Sequence, residues 1–339
     1  NCDRFRALGL KVYSDSGLVR DNTGFAVQVT GSRDVAVEAC SFQDIASACI
    51  WMDTTSDIKI SGNTIISAKA DGIHLSDGCT NFAISGNTLN DTDDDAIAIV
   101  RDTGAGIPGR GTITGNTING TLHGHGVALV SCEDVTVSGN QITAPAAGGI
   151  GAYVWSGTTD RSERLHIVGN SIDHSGSDPI DASGACGIFM GGANDSTIEA
   201  NVIADVDTGH AYDAEIAAIR CTAYDKLAIA GNMIRNIAGY GVLVPDATAA
   251  AGSGKLAVVG NTFQNVSKSA VRAALSTSAA LGPTSIAKNI FTETAYLSPY
   301  RLVDIANAGT DRVSVIDNAK MDGSSTYDVD AGTCSDIVS

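Results

Sequence analysis

The strongest constraint in this sequence is a short phrase that returns along its length. The phrase alternates apolar and other residues, breaks at Gly-Asn and ends on an apolar residue, as in Ile58–Ile65 and Phe82–Leu89. It recurs about every 23 to 31 residues, with asparagine at Asn63, Asn87, Asn116, Asn140, Asn170, Asn201, Asn232, Asn261, Asn289 and Asn318. A repeat of this length is typical of solenoid proteins.

Each copy of the phrase predicts a β-strand that stops at a turn, because alternation is the strand signature and Gly-Asn tolerates the left-handed conformation. Ala200, Lys288 and Asp317 replace the glycine in three copies, and Cys40 replaces the asparagine in an early copy. Asparagine side chains stacked at equivalent turns can hydrogen-bond to the coils above and below. We therefore expect an asparagine ladder.

A second family of short strands lies between the asparagine phrases. Its members are Gly72–Leu75, Ala96–Ile99, Gly126–Leu129, Gly149–Ala152, Gly187–Met190, Ala218–Cys221, Gly241–Val244 and Ala270–Ala273. Two or three strands per repeat without helical periodicity predict an all-β fold, a right-handed parallel β-helix of about eleven coils. Equivalent strands of successive coils should lie about 4.8 Å apart.

The repeat favours one elongated domain over residues 1–339, because the core of a solenoid grows with the number of coils. We expect an irregular first coil at 1–30 and a C-terminal cap or exit segment at 319–339. The chain begins at Asn1 rather than at a methionine, within repeat-like sequence. We therefore expect it to be a piece of a longer protein.

Composition excludes several classes of function. The net charge of −17 argues against nucleic acid, whose partners carry a basic surface. No apolar run approaches the roughly 20 residues of a membrane span. The eight cysteines include no CxxC pair, and Cys49, Cys186 and Cys221 fit small buried hydrophobes. We expect neither a metal nor another cofactor.

Aligning the second strand family places four chemistry-bearing residues on successive coils. Asp71 precedes Gly72, Asp94 and Asp95 precede the next strand, and His125 precedes the one after. Carboxylates this close cannot all ionise freely, so at least one should have a raised pKa. One coil of separation can also span the about 6.5–9.5 Å between the acid and base of an inverting glycosidase.

The same residues resemble the polygalacturonase-type glycoside hydrolases of the pectate-lyase-like superfamily of right-handed parallel β-helices. The matching runs are Asp71-Gly-Ile-His, Asp93-Asp-Asp-Ala-Ile-Ala-Ile and Gly124-His-Gly, within about residues 60 to 157. The resemblance implies that Asp94 protonates the leaving oxygen and that Asp71 and Asp95 hold and deprotonate the water. It also implies that His125 orients the acid.

The resemblance breaks at the fourth motif, where the family has Arg-x-Lys. Gly151 and Tyr153 stand at the positions of these two bases, which hold the uronate carboxylate in the family. Ala70 and Asp93 also depart from the family's first and second motifs. The loss of both bases favours a neutral or differently charged sugar.

Four residues outside the catalytic set are predicted to bind substrate. Tyr153 and Trp155 could stack on sugar faces, as aromatic side chains in ligand grooves often do. His74 should point outward beside Asp71 and line the groove. Arg220 occupies an outward position in a later strand and would contribute a remote subsite.

The leading hypothesis is a polysaccharide-degrading glycoside hydrolase, inverting and endo-acting in an open groove. We expect it to be secreted or virion-associated, to bind a polysaccharide or oligosaccharide, and to be a monomer or homotrimer. Two alternatives remain open. The first is a tailspike-like glycan-binding adhesin or depolymerase, and the second is a polysaccharide lyase or uronate epimerase on the same fold. A purely structural solenoid is the remaining interpretation.

Overall fold

The computed structural model describes residues 2–14, 19–21, 23–154, 160–177, 186–206, 216–245, 255–274, 284–292, 302–306, 313–321, 329–330 and 337–338. Within these ranges the regular structure consists of strands, which fall into three columns along one axis. A described coil generally contributes one strand to each column, and one coil contributes two short strands, Ser162–Glu163 and His166–Val168, to the same column. Strands of one column pair in parallel, as Ile97 does with Ile73 on one side and Val127 on the other.

Column 1 contains the strands that precede the repeated asparagine. They are β1 (Phe5–Leu8), β4 (Arg33–Glu38), β7 (Ser56–Ser61), β10 (Thr80–Ser85), β13 (Gly109–Thr114), β16 (Glu133–Ser138), β19 (Ser162–Glu163), β20 (His166–Val168), the second part of β22 (Cys186–Glu199), the second part of β24 (Ala217–Ala230), β27 (Leu256–Val259), β30 (Thr284–Ala287), β33 (Val313–Ile316) and β36 (Ile337–Val338).

Column 2 contains the strands that follow the asparagine and forms a separate sheet. They are β2 (Lys11–Tyr13), β5 (Ser41–Gln43), β8 (Thr64–Ile66), β11 (Thr88–Thr92), β14 (Thr117–Thr121), β17 (Gln141–Pro145), β21 (Ser171–Asp173), β23 (Val202–Ala204), β25 (Met233–Ile237), β28 (Thr262–Val266), β31 (Ile290–Thr292) and β34 (Ala319–Lys320).

Column 3 is the second strand family of the sequence. Its strands are β3 (Val27–Thr30), β6 (Ile50–Asp53), β9 (Ile73–Ser76), β12 (Ile97–Val100), β15 (Val127–Val130), β18 (Ile150–Tyr153), the first parts of β22 and β24, β26 (Tyr240–Val244), β29 (Val271–Ala274), β32 (Val303–Ala306) and β35 (Val329–Asp330). Because β22 and β24 run through columns 1 and 3, these two columns form one 24-stranded sheet.

The predicted parallel β-helix is confirmed by this arrangement. The described part of column 2 holds 12 strands, against about eleven coils predicted. Residues 1–30, predicted as an irregular first coil, include β1, β2 and β3, each paired with the following coil. Residues 319–339, predicted as a cap or exit segment, include β34, β35 and β36, each paired with the preceding coil. In the described ranges no helix is long and apolar enough to cross a membrane.

The core is a continuous stack of aliphatic side chains inside the coils. Along β10, for example, Phe82 and Ile84 point inward and are buried, whereas the residues between them are partly exposed. Cys49, Cys186 and Cys221 are fully buried, which confirms their prediction as small core hydrophobes. In column 3 the alternate row points to the outer wall, where Trp51 and His74 remain partly exposed.

The asparagine ladder is confirmed at every repeat from Asn63 to Asn318. From Asn87 onwards, each asparagine Oδ1 accepts hydrogen bonds from the backbone N–H and the Nδ2 of the preceding asparagine, at 2.9–3.0 Å. Asn63 Oδ1 accepts from the backbone N–H of Cys40 instead. Each Nδ2 also donates to a main-chain carbonyl of the preceding coil, as Asn140 does to Ile113 at 2.9 Å. The buried amides are thereby satisfied on both sides of each coil.

The residue before each ladder asparagine adopts the left-handed conformation. Gly169 has φ 65°, and the three residues that replace glycine adopt the same geometry, with φ between 52° and 56° at Ala200, Lys288 and Asp317. Such residues cost roughly 1–2 kcal/mol relative to their relaxed conformation. The ladder is stable enough to impose this geometry without glycine.

Candidate active site

The residues two positions before β9, β12 and β15 form a column on the outer wall. Asp71 Oδ1 accepts a hydrogen bond from the backbone N–H of Asp95 at 3.0 Å, and Asp95 Oδ1 accepts one from the backbone N–H of His125 at 2.6 Å. The His125 ring also places Nδ1 3.3 Å from Asp95 Oδ1. We call Asp71, Asp95 and His125 the aspartate column.

The structure brings the three predicted catalytic aspartates together. One oxygen each from Asp71, Asp94 and Asp95 lies within 4.8 Å of the other two. This nearest-oxygen separation is shorter than the about 6.5–9.5 Å expected from the sequence for an inverting pair. The difference arises because hydrogen bonds to the next coil hold Asp71 and Asp95 along the wall, instead of letting them extend away from it.

A glycine explains the close approach of the coils at this point. A Cβ at Gly124 would lie 2.3 Å from the carbonyl carbon of Asp94 and from the amide nitrogen of Asp95. Any larger residue would push the coil of His125 away and break its hydrogen bond to Asp95. The Gly-His-Gly run therefore has a packing role in assembling the site.

His74 lies between two carboxylates. Its Nδ1 is 2.7 Å from Asp71 Oδ2, and its Nε2 is 3.1 Å from Asp102 Oδ2. The sequence predicted that His74 lines the groove and contacts substrate. The structure places it in the site, but both of its ring nitrogens are engaged by protein groups. Asp102, which follows β12, was not identified from the sequence.

These contacts set unusual protonation behaviour. Burial raises the pKa of Asp71 to about 6, although its hydrogen bond to His74 acts in the opposite direction. The sequence predicted a raised pKa for one of the clustered carboxyls, and Asp71 is that group. Burial alone would lower the pKa of His74, but its hydrogen bonds to Asp102 and Asp71 outweigh burial and raise it to about 10. At neutral pH His74 is therefore a cation held between two carboxylates.

Asp94 is the most accessible of the three aspartates, with 38% of its side chain exposed. Its Oδ2 lies 3.1 Å from Nη1 of Arg20, which is 74 positions earlier in the chain. Arg20 belongs to the first coils and reaches the site along the outer wall. No local sequence signal indicates this contact, so it was not predicted from the sequence.

The Tyr153 side chain occupies space that is open because residue 151 is glycine. The Tyr153 hydroxyl hydrogen-bonds to His125 Nε2, and the two rings meet edge to face with centroids 5.1 Å apart. A Cβ at Gly151 would lie 2.4 Å from the Tyr153 ring. The ring can therefore fold back over position 151 only because that residue is glycine. The two departures from Arg-x-Lys together build a partner for His125.

An aromatic and cationic row continues beyond Tyr153. The Phe189 ring lies 5.0 Å from that of Tyr153, and the Arg220 guanidinium lies 5.7 Å from the Phe189 centroid. Arg220 is three coils beyond His125, or about 14 Å along the axis, so it is remote from the aspartates. The sequence predicted an outward position, but Arg220 is buried, with 8% of the residue exposed. Trp155, also predicted to bind substrate, lies outside the described residues.

A second aromatic pair lies on the other side of the aspartates. Trp51 faces His74 in the strand register, one coil towards the N-terminus. Its ring is stacked on that of Phe25, with centroids 5.1 Å apart and planes 14° apart. The acidic cluster is therefore flanked by aromatic side chains in both directions along the axis.

Two clusters in the described residues have the composition of metal sites. They are the three aspartates of the site, and Asp173, His174 and Asp205 at turns after β21 and β23. In the first cluster the oxygens of Asp71 and Asp95 already accept hydrogen bonds from N–H donors, and His74 supplies a positive charge. This environment fits carboxylates balanced by protein donors.

Comparison with known proteins identifies the architecture. A family model described as "Right handed beta helix region" matches residues 15–109 and 102–291. No curated protein sequence matches the chain.

Three solved structures share the fold at low sequence identity. The A-module of the Azotobacter vinelandii mannuronan C-5 epimerase AlgE6 has a TM-score of 0.58 and 13% identity, over 95% of this chain and 92% of that one. The periplasmic alginate epimerase AlgG has a TM-score of 0.59 and 12% identity, over 93% and 77%. The catalytic unit of the Streptomyces thermodiastaticus GH87 α-1,3-glucanase has a TM-score of 0.59 and 15% identity, over 91% of this chain and 52% of that chain.

The present chain thus spans about half the length of the glucanase unit. At sequence identities this low, the structural likeness establishes a shared fold and nothing more. Together with a family model that covers most of the sequence, it confirms the right-handed parallel β-helix: the chain belongs to the right-handed β-helix family.

Proposed function

We propose that this chain is a glycoside hydrolase that cleaves a polysaccharide at the aspartate cluster. The observation that carries the proposal is the convergence of Asp71, Asp94 and Asp95 within 4.8 Å on adjacent coils, in three different environments. General acid and general base are made from identical side chains when their surroundings differ. The α-1,3-glucanase among the similar structures supports this chemistry on the fold.

The proposed roles follow from exposure and hydrogen bonding. Asp94, the most exposed carboxyl, donates a proton to the glycosidic oxygen as the bond from that oxygen to the anomeric carbon breaks. A water held by Asp71 and Asp95 attacks the anomeric carbon and passes its proton to this pair. The oxygen of the water becomes the new anomeric hydroxyl. Arg20 must leave Asp94 before that carboxyl can take up the proton it donates.

We propose inversion at the anomeric carbon. Asp71 and Asp95 are both anchored by backbone N–H groups on the same wall. A small water molecule can contact both carboxylates at once, although their nearest oxygens are closer than the about 6.5–9.5 Å of the usual inverting pair. NMR of the first-formed product tests this, because a retained anomer would show direct attack by a carboxylate instead.

The flanking aromatics give the proposed substrate a path. Tyr153 on one side and Trp51 on the other, both partly exposed, offer ring faces or edges in line with the cluster, whereas Phe189 is buried behind Tyr153. Stacking of sugars on such rings is a general mode of carbohydrate binding in ligand grooves. An extended glycan parallel to the axis would cross the aspartates and continue towards Arg220.

The test is a reducing-sugar assay across neutral and acidic polysaccharides. Asp94→Asn should lower turnover by about 10²–10⁴-fold, because the amide cannot act as a general acid. Asp91→Asn is the matched control, since Asp91 is on the same coil but exposed at a turn of column 2. Equal activity in the wild type and Asp94→Asn would reject the proposed acid.

A second candidate is a uronate epimerase, favoured by one feature. The Tyr153 hydroxyl and the His125 ring are directly paired and lie beside the aspartates, and Arg20 adds a nearby cation. Such a pair could remove the proton on C5 of a uronate and return one to the opposite face. Two of the similar structures are epimerases of mannuronan or alginate.

Deuterium incorporation separates the two candidates. An epimerase acting in D₂O would introduce deuterium at C5 of a uronate polymer without new reducing ends. A hydrolase would create reducing ends without C5 exchange. Tyr153→Phe would abolish exchange in the first case. If the chain is a hydrolase, Tyr153→Phe would leave a substantial part of the cleavage rate.

A further inference from the structure

The described outer wall contains a hydrogen-bonded series of which the proposed mechanism uses only the first member. It runs from Asp71 through His74 to Asp102, with contacts of 2.7 Å and 3.1 Å. The side chains of Asp71 and His74 are 12% and 14% exposed, whereas that of Asp102 is 34% exposed. An exposed carboxylate is thus linked to a buried one through a single imidazole.

We propose that Asp102 is a positioning residue that acts through His74 to hold Asp71 as an oriented carboxylate. This inference rests on the proposed role of Asp71 in binding the water. The geometry repeats a general arrangement in which a base is fixed by a histidine and the histidine is fixed by a third group. Asp102 has no place in the family motif, and it lies 31 positions along the chain from Asp71.

Asp102 first fixes the orientation of the His74 ring. The His74 ring has two nitrogens, and each faces a carboxylate oxygen, so the ring plane is fixed at both ends. Without Asp102 the imidazole would keep only its contact with Asp71 and could rotate or recruit water. Asp71 Oδ2 would then lose a fixed donor, while Oδ1 would keep the N–H of Asp95.

Asp102 also acts on the His74 ring through its negative charge. A neutral imidazole carries one N–H, so it cannot donate to two carboxylates at once, whereas the cation donates to both. Asp102 therefore favours the charged ring. The positive charge in turn opposes the effect of burial on Asp71, and of the nearby charges of Asp95 and Asp94, all of which raise the pKa of Asp71.

The other charged groups around this series are acidic, except for Arg20 and for Arg101, which precedes Asp102 in the chain and pairs with Asp160. Asp53, on the coil before His74, has a raised pKa because of burial and the nearby Asp77 and Asp102. Arg20 supplies a positive charge, but it pairs with Asp94. In the described residues His74 is thus the cation in hydrogen-bond contact with Asp71.

The primary experiment is NMR titration of the histidine ring signals in the full chain, with His74 assigned through His74→Gln. In the wild type the His74 ring should stay protonated to above about pH 9, whereas an ordinary histidine titrates near about pH 6.5. Asp102→Asn should move the His74 midpoint down by one pH unit or more. Asp102→Glu should restore part of that shift, because it returns a carboxylate.

Activity gives the second measurement. Asp102→Asn should lower kcat by roughly tenfold or more, since misplacing a group beside the reacting atoms can cost that much. His74→Gln should move the acidic limb of the kcat profile to higher pH, because Asp71 loses the cation that keeps it ionised. A merely structural role for Asp102 would lower stability but leave the His74 midpoint and the pH profile in place.

The outcomes separate this inference from the proposed function. A wild-type His74 midpoint near about pH 6.5, or one unchanged in Asp102→Asn, would overturn the role of Asp102. If no polysaccharide is cleaved while His74 stays protonated to alkaline pH, the proposed hydrolase fails and the linked series stands. If cleavage occurs but the acidic limb of the kcat profile does not move in His74→Gln, the ionisation of Asp71 does not control turnover.

Discussion

The asparagine ladder and the aspartate column are two stacks built on the same repeat. In both, a polar side chain recurs at equivalent positions of successive coils and hydrogen-bonds to a backbone N–H of a neighbouring coil. In the ladder that N–H belongs to the preceding coil, as between Asn116 and Asn140. In the aspartate column it belongs to the following coil, as between Asp71 and Asp95.

The two stacks differ in what the side chain can offer its neighbours. An amide has a donor and an acceptor, so identical amides satisfy each other indefinitely inside the protein. An ionised carboxylate has acceptors only, so stacked aspartates accumulate charge that they cannot satisfy among themselves. The column is therefore short, lies at the surface and ends at His125. We propose that reactivity on this wall depends on the break in the repeat.

The largest expected effect comes from making the site resemble the ladder. Asp95→Asn keeps an oxygen for the N–H of His125 but removes the charge, so turnover on any substrate found should fall by about 10³-fold. The free energy of unfolding should change by about 1 kcal/mol or less, since the column loses repulsion as well as a hydrogen bond to an anion. Kinetics and urea unfolding of the same preparation measure both.

A loss of activity that tracks a loss of stability in Asp95→Asn would indicate that the column is structural. The Asp91→Asn control should leave both quantities unchanged.

The converse exchange should disrupt the ladder. Asn140→Asp removes the donor to Ile113 O and to Asn170 Oδ1, and leaves a fully buried carboxylate facing two oxygens. We expect a loss of about 3–5 kcal/mol in the free energy of unfolding, as for other uncompensated buried charges. Urea denaturation followed by circular dichroism is the measurement.

Asn318→Asp is the matched control for that exchange. Asn318 is 9% exposed, is the last asparagine of the described ladder and donates its Nδ2 to Ile286 O of the preceding coil. Its substitution should cost clearly less than that of Asn140. Equal costs at both positions would show that the ladder does not act through mutual satisfaction of its amides.

The two stacks should also differ in their response to pH. His74 has a pKa near 10 in the folded chain, compared with about 6.5 when unfolded, so the folded state binds its proton more tightly. The resulting stability is fully present below about pH 6.5 and is lost progressively as pH rises towards 10. The amides of the ladder do not titrate and contribute no such dependence.

Urea unfolding at pH 6.5 and at pH 9.5 tests this expectation, with His74→Gln as the control. The wild type should lose more stability than the variant over this interval. Parallel behaviour of the two proteins would mean that His74 is not held as a cation.

The smallest expected effect concerns the turn before each ladder asparagine. Ala200 adopts φ 53° where the preceding coil has Gly169 at φ 65°. Ala200→Gly should stabilise the chain by about 0.5–1 kcal/mol, and Gly169→Ala should destabilise it by a similar amount, because only glycine adopts this conformation without strain. The melting temperature of each variant, compared with that of the wild type, would measure these changes. A shift in the same direction in both variants would contradict the expectation.

The columns of the fold were predictable because the repeat alone determines them. Once the asparagines are aligned, every outward position of one coil falls beside its counterpart on the next. The proximity of Asp71, Asp95 and His125 follows from that alignment without any knowledge of long-range folding. The same logic gave the buried cysteines and the ladder.

The remaining partners could not be predicted, because they depend on how far a side chain reaches. Arg20 contacts Asp94 from an earlier coil, and Asp102 meets His74 from beyond the end of a strand. Period and alternation carry no information on such reach. One weak signal was present: Gly151 stands two residues before Tyr153, on the same face of the strand, and opens the space that the ring occupies.

The ladder has a consequence for how such a protein can lengthen over evolution. Each asparagine requires only the amide of an adjacent coil, so a copied segment of one period would be accepted into the stack with its hydrogen bonds intact. A duplication after Asn232 would extend the outer face by about 4.8 Å and leave the three aspartates in place. Groove length and reaction chemistry can therefore change by separate genetic events.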